Sequence, residues 1–253
     1  MKLISFGKTD EGKQRTNNED SYLTNDHLGL YAVADGIGGH EGGEVASRLA
    51  MEALSGILRE RFMGTWSAAA PDAPMEEDRD LASLRDAVAF ANTTILQAAA
   101  RDPSLAGMGT TLTAVLLRSR TAFFVHVGDS RAYLFHNGTL KQLTDDHSLV
   151  AEQMRAGLIT PEQARISPYR HVITRSVGIH PDAHADLGKF TVERNDILLL
   201  CTDGLTEMVK DDDIERILSS ETSSAPAENL IDRANDNGGV DNITVVVVRI
   251  EDV

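Results

Sequence analysis

Two stretches of this 253-residue chain, ILLLC at 197–201 and ITVVVVRI at 243–250, are continuous apolar runs rich in Ile, Val and Leu. Runs this short and this dense in branched side chains read as strands buried on both faces. Such strands need cover above and below, and the helix signals come in pairs. Val45, Leu49, Ala53/Leu54, Ile57/Leu58 and Phe62 recur at three- and four-residue steps, as do Leu81, Leu84, Val88, Ala91, Ile95 and Ala98. Leu230, Ile231 and Ala234 mark a last helix between the two runs. Further strands are expected at LISF, SYL and Leu28 to Ala34. TLTAVLLRS, TAFFVHV and RAYLFHNG, separated by a few turn residues, predict an antiparallel meander, with His136-Asn137-Gly138 as the next tight turn. Strands in two groups with paired helices make an α+β layered fold. GTWSAAAPDAPMEEDR, between the first two helices, reads as a surface insertion. The mixed segment 145–186, with a short helix expected at LITPEQARI, is placed to cover a site.

Charge narrows the function. Lys and Arg number 24 against 39 Asp and Glu, a formal balance of −15. Nucleic acids and anionic membranes are held by clustered cations, so the chain is not expected to bind either. A small phosphorylated group is not excluded. Cys201 is the single cysteine, which permits no internal disulfide or cysteine-based zinc site and fits a reducing, cytoplasmic setting. The N-terminal MKLISFGKTDEGK lacks the apolar core of a secretion signal, and no window reaches the length of a membrane span.

The acids stand in particular places. Asp35 follows LYAVA and precedes Gly36; Asp129 follows FFVHVG; Asp203 follows ILLLCT and precedes Gly204; Asp241 precedes ITVVVV. One Asp at a strand end is ordinarily a turn residue or a cap. Four beside interior runs are a different matter, because carboxylates pressed together repel unless cations sit between them. Oxygen-only donors select Mg²⁺, Mn²⁺ or Ca²⁺ over zinc.

Spacing alone cannot bring Asp35 and Asp203 together, but their surroundings are informative. RTNNEDS (15–21), VADGIGGHEGGEVAS (33–47), GMGTT (107–111), VGDSRAYLF (127–135), DDHS (145–148), ITRSVG (173–178), CTDGL (201–205) and DNIT (241–244) resemble, in order, the motifs of the PPM (PP2C-type) metal-dependent protein phosphatases. The likeness extends from about Arg15 to Val248 and is nearest to the bacterial single-domain branch. It implies an αββα sandwich of two antiparallel sheets, each covered by a helix pair, with residues 1–253 forming one domain and 145–186 its flap.

The resemblance also implies roles. Asp35 would bridge two Mg²⁺ or Mn²⁺ ions, with the Gly36 carbonyl on one of them. Asp203 and Asp241 would complete the pair, and Glu19 and Asp20 would act largely through metal-bound waters. Asp129 with Asp203 would hold a weaker third ion, and Asn242 would orient neighbouring ligands. Arg15 matches the phosphate-gripping arginine, whose planar fork suits two phosphate oxygens. Two cations roughly 3.5–4 Å apart acidify a bridging water and hold it for in-line attack on phosphorus. Many eukaryotic members place a proton-donating His directly after the Asp-Gly pair, where this chain has Ile37. His40 is the substitute candidate, with His147 and His126 holding weaker claims.

The implied activity is hydrolysis of phosphoserine and phosphothreonine in proteins, in cytoplasmic signalling. The expected partners are phosphorylated proteins, including a cognate Ser/Thr kinase or its targets, and the expected state is a monomer. Two other uses stay open: a regulatory module that kept the fold without catalysis, and a small-molecule phosphomonoesterase. Intact Asp35, Asp203 and Asp241 argue against the first.

Other patterns fail on their own terms. Gly7-Lys8-Thr9 lacks the upstream glycine of a phosphate-binding loop, since residue 2 is Lys. Ser130 has no nucleophile elbow around it. His180 and His184 have helical metal-ligand spacing, but Pro181 opposes the helix. Asp211-Asp212-Asp213 reads as the acidic first turn of a helix, and Cys201 as a core residue.

Overall fold

The computed structural model describes residues 2–38, 41–63, 76–220 and 225–252. Its strands are β1 (Lys2–Asp10), β2 (Ser21–Asn25), β3 (Leu30–Ala34), β4 (Gly36–Ile37), β5 (Gly109–Thr110), β6 (Leu112–Arg118), β7 (Thr121–Val127), β8 (Arg131–His136), β9 (Thr139–Gln142), β10 (Asp186–Thr191), β11 (Ile197–Cys201) and β12 (Ile243–Asp252). Its helices are α1 (Gly42–Met63), α2 (Glu76–Arg101), α3 (Leu149–Arg155), α4 (Pro161–Arg165), α5 (Asp203–Thr206), α6 (Asp211–Ser219) and α7 (Pro226–Asp236).

The apolar runs build the interior. One sheet has the order β1-β12-β11-β8-β9, the other β10-β7-β6-β3-β2, and β4 pairs with β5 in a separate ribbon. Alternate side chains of each central strand serve two different layers. Leu198, Leu200, Val246 and Val248 meet Tyr31, Val33 and Val115 between the sheets. Their neighbours Leu199, Cys201, Val245 and Val247 face outward onto Ile214, Leu218, Leu230 and Ile231 of α6 and α7. On the other side, Leu30, Ala32, Leu112, Ala114 and Leu116 pack beneath α1 and α2. The four-layer αββα sandwich is therefore as expected, and the continuous apolar runs are those whose two faces are both covered.

The meander expectation is corrected. β6 and β7 pair antiparallel, but β8 leaves that sheet and pairs with β11 and β9 in the other. The crossing occurs at Gly128, whose φ is +113°. A β-carbon there would lie 2.5 Å from Thr111 Cγ2, so only glycine passes. An alternating apolar strand fits either sheet equally well, which is why spacing could not reveal the switch. The β8–β9 turn is as expected, with Asn137 and Gly138 both at positive φ. α4 starts at Pro161 behind a Thr160 capping box. Most of the expected insertion, residues 64–75, lies outside the described residues, while its final Glu76 to Arg79 belong to α2. Residues 180–184 are not helical, as Pro181 required.

Candidate metal centre

Antiparallel pairing puts the acids at one end of the sandwich. β11 ends where its partner β12 begins, so Asp203 and Asp241 are neighbours. β3 and β7 both pair antiparallel with β6 and therefore end on the same side, which brings Asp35 and Asp129 together. Asp20, just before β2, enters beside them: its Oδ2 accepts a 2.8 Å bond from Thr202 Oγ1.

Backbone contacts fix this arrangement. The Asp35 N–H donates to Thr111 Oγ1 at 2.8 Å, and the Asp35 carbonyl accepts from Thr111 N–H and Thr110 Oγ1. The GMGTT segment thus clamps Asp35. The Gly36 N–H donates to the Glu19 carbonyl, which also accepts from Ser47 Oγ at 2.6 Å. A β-carbon on Gly43 would lie 2.1 Å from Glu19 Oε2 and 2.9 Å from the Gly36 carbonyl carbon, so a larger residue at the start of α1 would displace the Glu19 side chain and crowd the Gly36 backbone. Glu19 Oε1 in turn accepts from Asn17 Nδ2. Asn242 ties the site together: its Oδ1 accepts from Glu19 N–H, and its Nδ2 donates to the carbonyls of Glu11 and Asn17. Its own N–H donates to Asp241 Oδ1 at 2.8 Å.

The electrostatics are unfavourable as they stand. Asp20 and Asp129 are each 8 % exposed, and Asp35 and Asp203 are half-buried. Burial, then Asp20, Asp203 and Asp129, hold the Asp35 carboxyl well above the usual range. Asp129 is raised likewise by burial and then Asp203. Asp20 is pushed up to about 7, first by burial and further by Asp203 and Asp241. Asp203 is pushed up to about 6 by burial, then Glu207 and Asp241. Asp20 Oδ1, Asp129 Oδ1 and Asp203 Oδ1 are buried without a hydrogen-bond partner. Orphaned acceptors of one sign, converging from three chain segments, fit divalent cations with oxygen ligands.

Arg15 stands at the rim, about half exposed, with Nη2 donating to Asp241 Oδ2 at 2.7 Å. His40 lies outside the described residues. The other two histidines are not placed to donate a proton in the cleft: His126 is 0 % and His147 1 % exposed, and both are fully engaged within the fold.

Three neighbours escaped the sequence reading. Asp146 lies close enough to Asp129 to raise it, yet is itself gripped by the Arg131 fork at 2.8 and 2.7 Å. Glu207 follows Asp203 by one helical turn, a spacing that was available as a signal. His171, from the segment 145–186, puts Nδ1 2.9 Å from Glu207 Oε1. Ligand-type atoms of His171, Asp203 and Glu207 lie within 4.8 Å of one another, a grouping no local pattern announces.

An αββα sandwich with carboxylates gathered at one end of both sheets is the arrangement that the resemblance to metal-dependent phosphatases implies. A family profile described as Protein phosphatase 2C matches residues 9–237. The serine/threonine phosphatase stp of Listeria monocytogenes is 38 % identical over 246 residues, 96 % of this chain and 94 % of that protein. The solved structure of the Mycobacterium tuberculosis serine/threonine phosphatase PstP/Ppp superimposes with a TM-score of 0.86 at 38 % identity, covering 99 % of each chain. A second structure, the PstP catalytic domain in complex with two manganese ions, gives 0.85 at 37 %, again covering 99 % of each chain. The chain belongs to the protein phosphatase 2C family.

Proposed function

We propose that the protein removes phosphate from phosphoserine and phosphothreonine in other proteins, with two divalent cations held by Asp35, the Gly36 carbonyl, Asp203 and Asp241. The observation that carries this reading is the convergence of Asp20, Asp35, Asp129 and Asp203 with three of their buried oxygens unpartnered. The cations, when bound, supply a nucleophilic water at neutral pH and neutralise the phosphate dianion.

The chain's own residues do the rest. Asp35 is held at both its N–H and its carbonyl, which fixes the backbone from which its carboxylate enters the cleft. Asn242 locks the segment carrying Glu19 and Asp20 against the start of β12. Arg15 uses one donor on Asp241, leaving the remainder of a five-donor fork for phosphate oxygens. The finer assignments belong to this reading: Glu19 and Asp20 acting through water, Asp129 with Asp203 holding a weaker third cation, and His40 as proton donor. So do Mg²⁺ or Mn²⁺ as the resident ion, residues 1–253 as one domain, and 145–186 as its flap. A cognate Ser/Thr kinase or its targets as substrates, a monomeric state and a cytoplasmic signalling setting complete it. No helix among the described residues is long and apolar enough to cross a membrane.

The test is hydrolysis of a phosphothreonine peptide and of p-nitrophenyl phosphate with Mn²⁺, and again after chelation. Both should be hydrolysed with Mn²⁺ and neither after chelation. Equal turnover in chelator would overturn the cation reading. Hydrolysis of the small ester alone would favour a phosphomonoesterase. Arg15→Ala should raise KM about tenfold, as expected for loss of a charge-assisted phosphate contact.

A further inference from the structure

His147 is a buried titratable group that the proposed chemistry does not use. It stands 1 % exposed between the turn that presents Asp129 and the base of the segment 145–186. It holds the Gly128 peptide from both sides: its backbone N–H donates to the Gly128 carbonyl at 2.7 Å, and its Nδ1 accepts from the Gly128 N–H at 3.1 Å. Because Nδ1 accepts, the neutral ring carries its proton on Nε2. That Nε2 lies 3.1 Å from both Asp186 Oδ2 and Arg175 Nη1; carrying the proton, it donates to Asp186, while Arg175 spends its own donor on Asp186. Arg175 Nη1 donates to the other oxygen, Asp186 Oδ1, at 2.8 Å. The His147 carbonyl accepts from Thr174 N–H at 2.8 Å, and the flanking Ser148 bridges to Ile173. The ring of His126 packs against it at 4.7 Å between centroids and donates from Nε2 to the Asp145 carbonyl. One side chain therefore touches, through different nitrogens, the Gly128 N–H in the turn before Asp129 and the Arg175–Asp186 pair where the segment returns to β10.

We infer that His147 is a positioning residue with two separable tasks, its Nδ1 holding the turn that presents Asp129 and its Nε2 anchoring the 145–186 segment through Asp186. It rests on the proposed role of Asp129 only for its functional readout; the structural readout below is independent of that role.

The two nitrogens can be separated. Asn places an acceptor where Nδ1 was and cannot reach Asp186; Gln reaches toward Asp186 and has no atom at the Nδ1 position. His147→Gln is expected to weaken Mn²⁺ binding in calorimetric titration by about tenfold for the lowest-affinity ion, with tryptic cleavage at Arg155, Arg165 and Arg170 near the wild-type rate. His147→Asn is expected to do the reverse: Mn²⁺ affinity within about twofold of wild type and cleavage at those arginines about tenfold faster. Asp186→Asn, at a half-exposed position where folding is not at stake, should reproduce the His147→Asn pattern. Identical phenotypes for the Asn and Gln variants would overturn the division of labour. So would unchanged tryptic rates in Asp186→Asn, or unchanged Mn²⁺ binding in a folded His147→Gln protein. If Mn²⁺ titration shows no third ion even in the wild type, the Asp129 role fails while the tryptic result still decides the anchorage.

Discussion

Asp146 and Asp129 are neighbouring acids with opposite circumstances. Asp146 accepts two bonds from the Arg131 fork and a third from Gln142 Nε2. Asp129 has a buried oxygen with no partner and faces Asp203 and Asp35. The fold therefore neutralises one acid internally and leaves the other group uncompensated. A protein that satisfied all its carboxylates would have nothing left to hold a cation; the unsatisfied group marks where external charge belongs.

That contrast can be broken from either side. On the uncompensated side, Asp35→Asn or Asp203→Asn should lower Mn²⁺-dependent turnover of p-nitrophenyl phosphate at least about 10³-fold, the scale of losing cation-based catalysis. The metal-free variants should melt at or above the wild-type temperature, because a repulsive charge has been removed. Wild-type turnover in either variant, or a large fall in melting temperature, would show that these acids are structural.

On the compensated side, Arg131→Met should destabilise by about 3 kcal/mol in urea unfolding, since it strands a largely buried carboxylate. Adding Asp146→Leu should recover part of that loss. A neutral single variant would mean that the pair contributes no more than an exposed one.

The smallest effect tests the buried histidines beneath both acids. Burial, then His147, lowers His126 from its ordinary 6.5 to about 4. The folded state prefers the neutral ring, so this contribution is fully present above pH 6.5 and is lost as pH falls toward 4. The loss should be on the order of 1–2 kcal/mol by pH 5. Scanning calorimetry of the Mn²⁺-loaded protein between pH 8 and 5 should show this slope in wild type and a shallower one in His126→Gln. Equal slopes would show that His126 does not carry the acid sensitivity.

Local chemistry was legible along the chain wherever a rule acts within a few residues. The period of Leu81 to Ala98 gave α2, Pro161 gave the start of α4, and Asn137-Gly138 gave the β8–β9 turn. Asp35, Asp129, Asp203 and Asp241 were visible as acids beside strands that had to be interior. The strand switch at Gly128 was not, because the pattern of Arg131–His136 suits either sheet. Nor was the approach of His171 to Glu207, nor the double grip of His147 on Gly128, since each joins segments that share no local period.

The sequence by itself determined the layers, because apolar runs and helical stripes state how many faces each element must bury. It also supplied the acids, because their positions at strand ends are read residue by residue. Only the tertiary structure decided that these ends coincide, that three buried carboxylate oxygens find no partner there, and that Asp146, unlike Asp129, has its own arginine. The physical reason is range. Side-chain periodicity acts over a few residues of chain, whereas charge acts over a few ångströms of space, and folding alone converts one distance into the other.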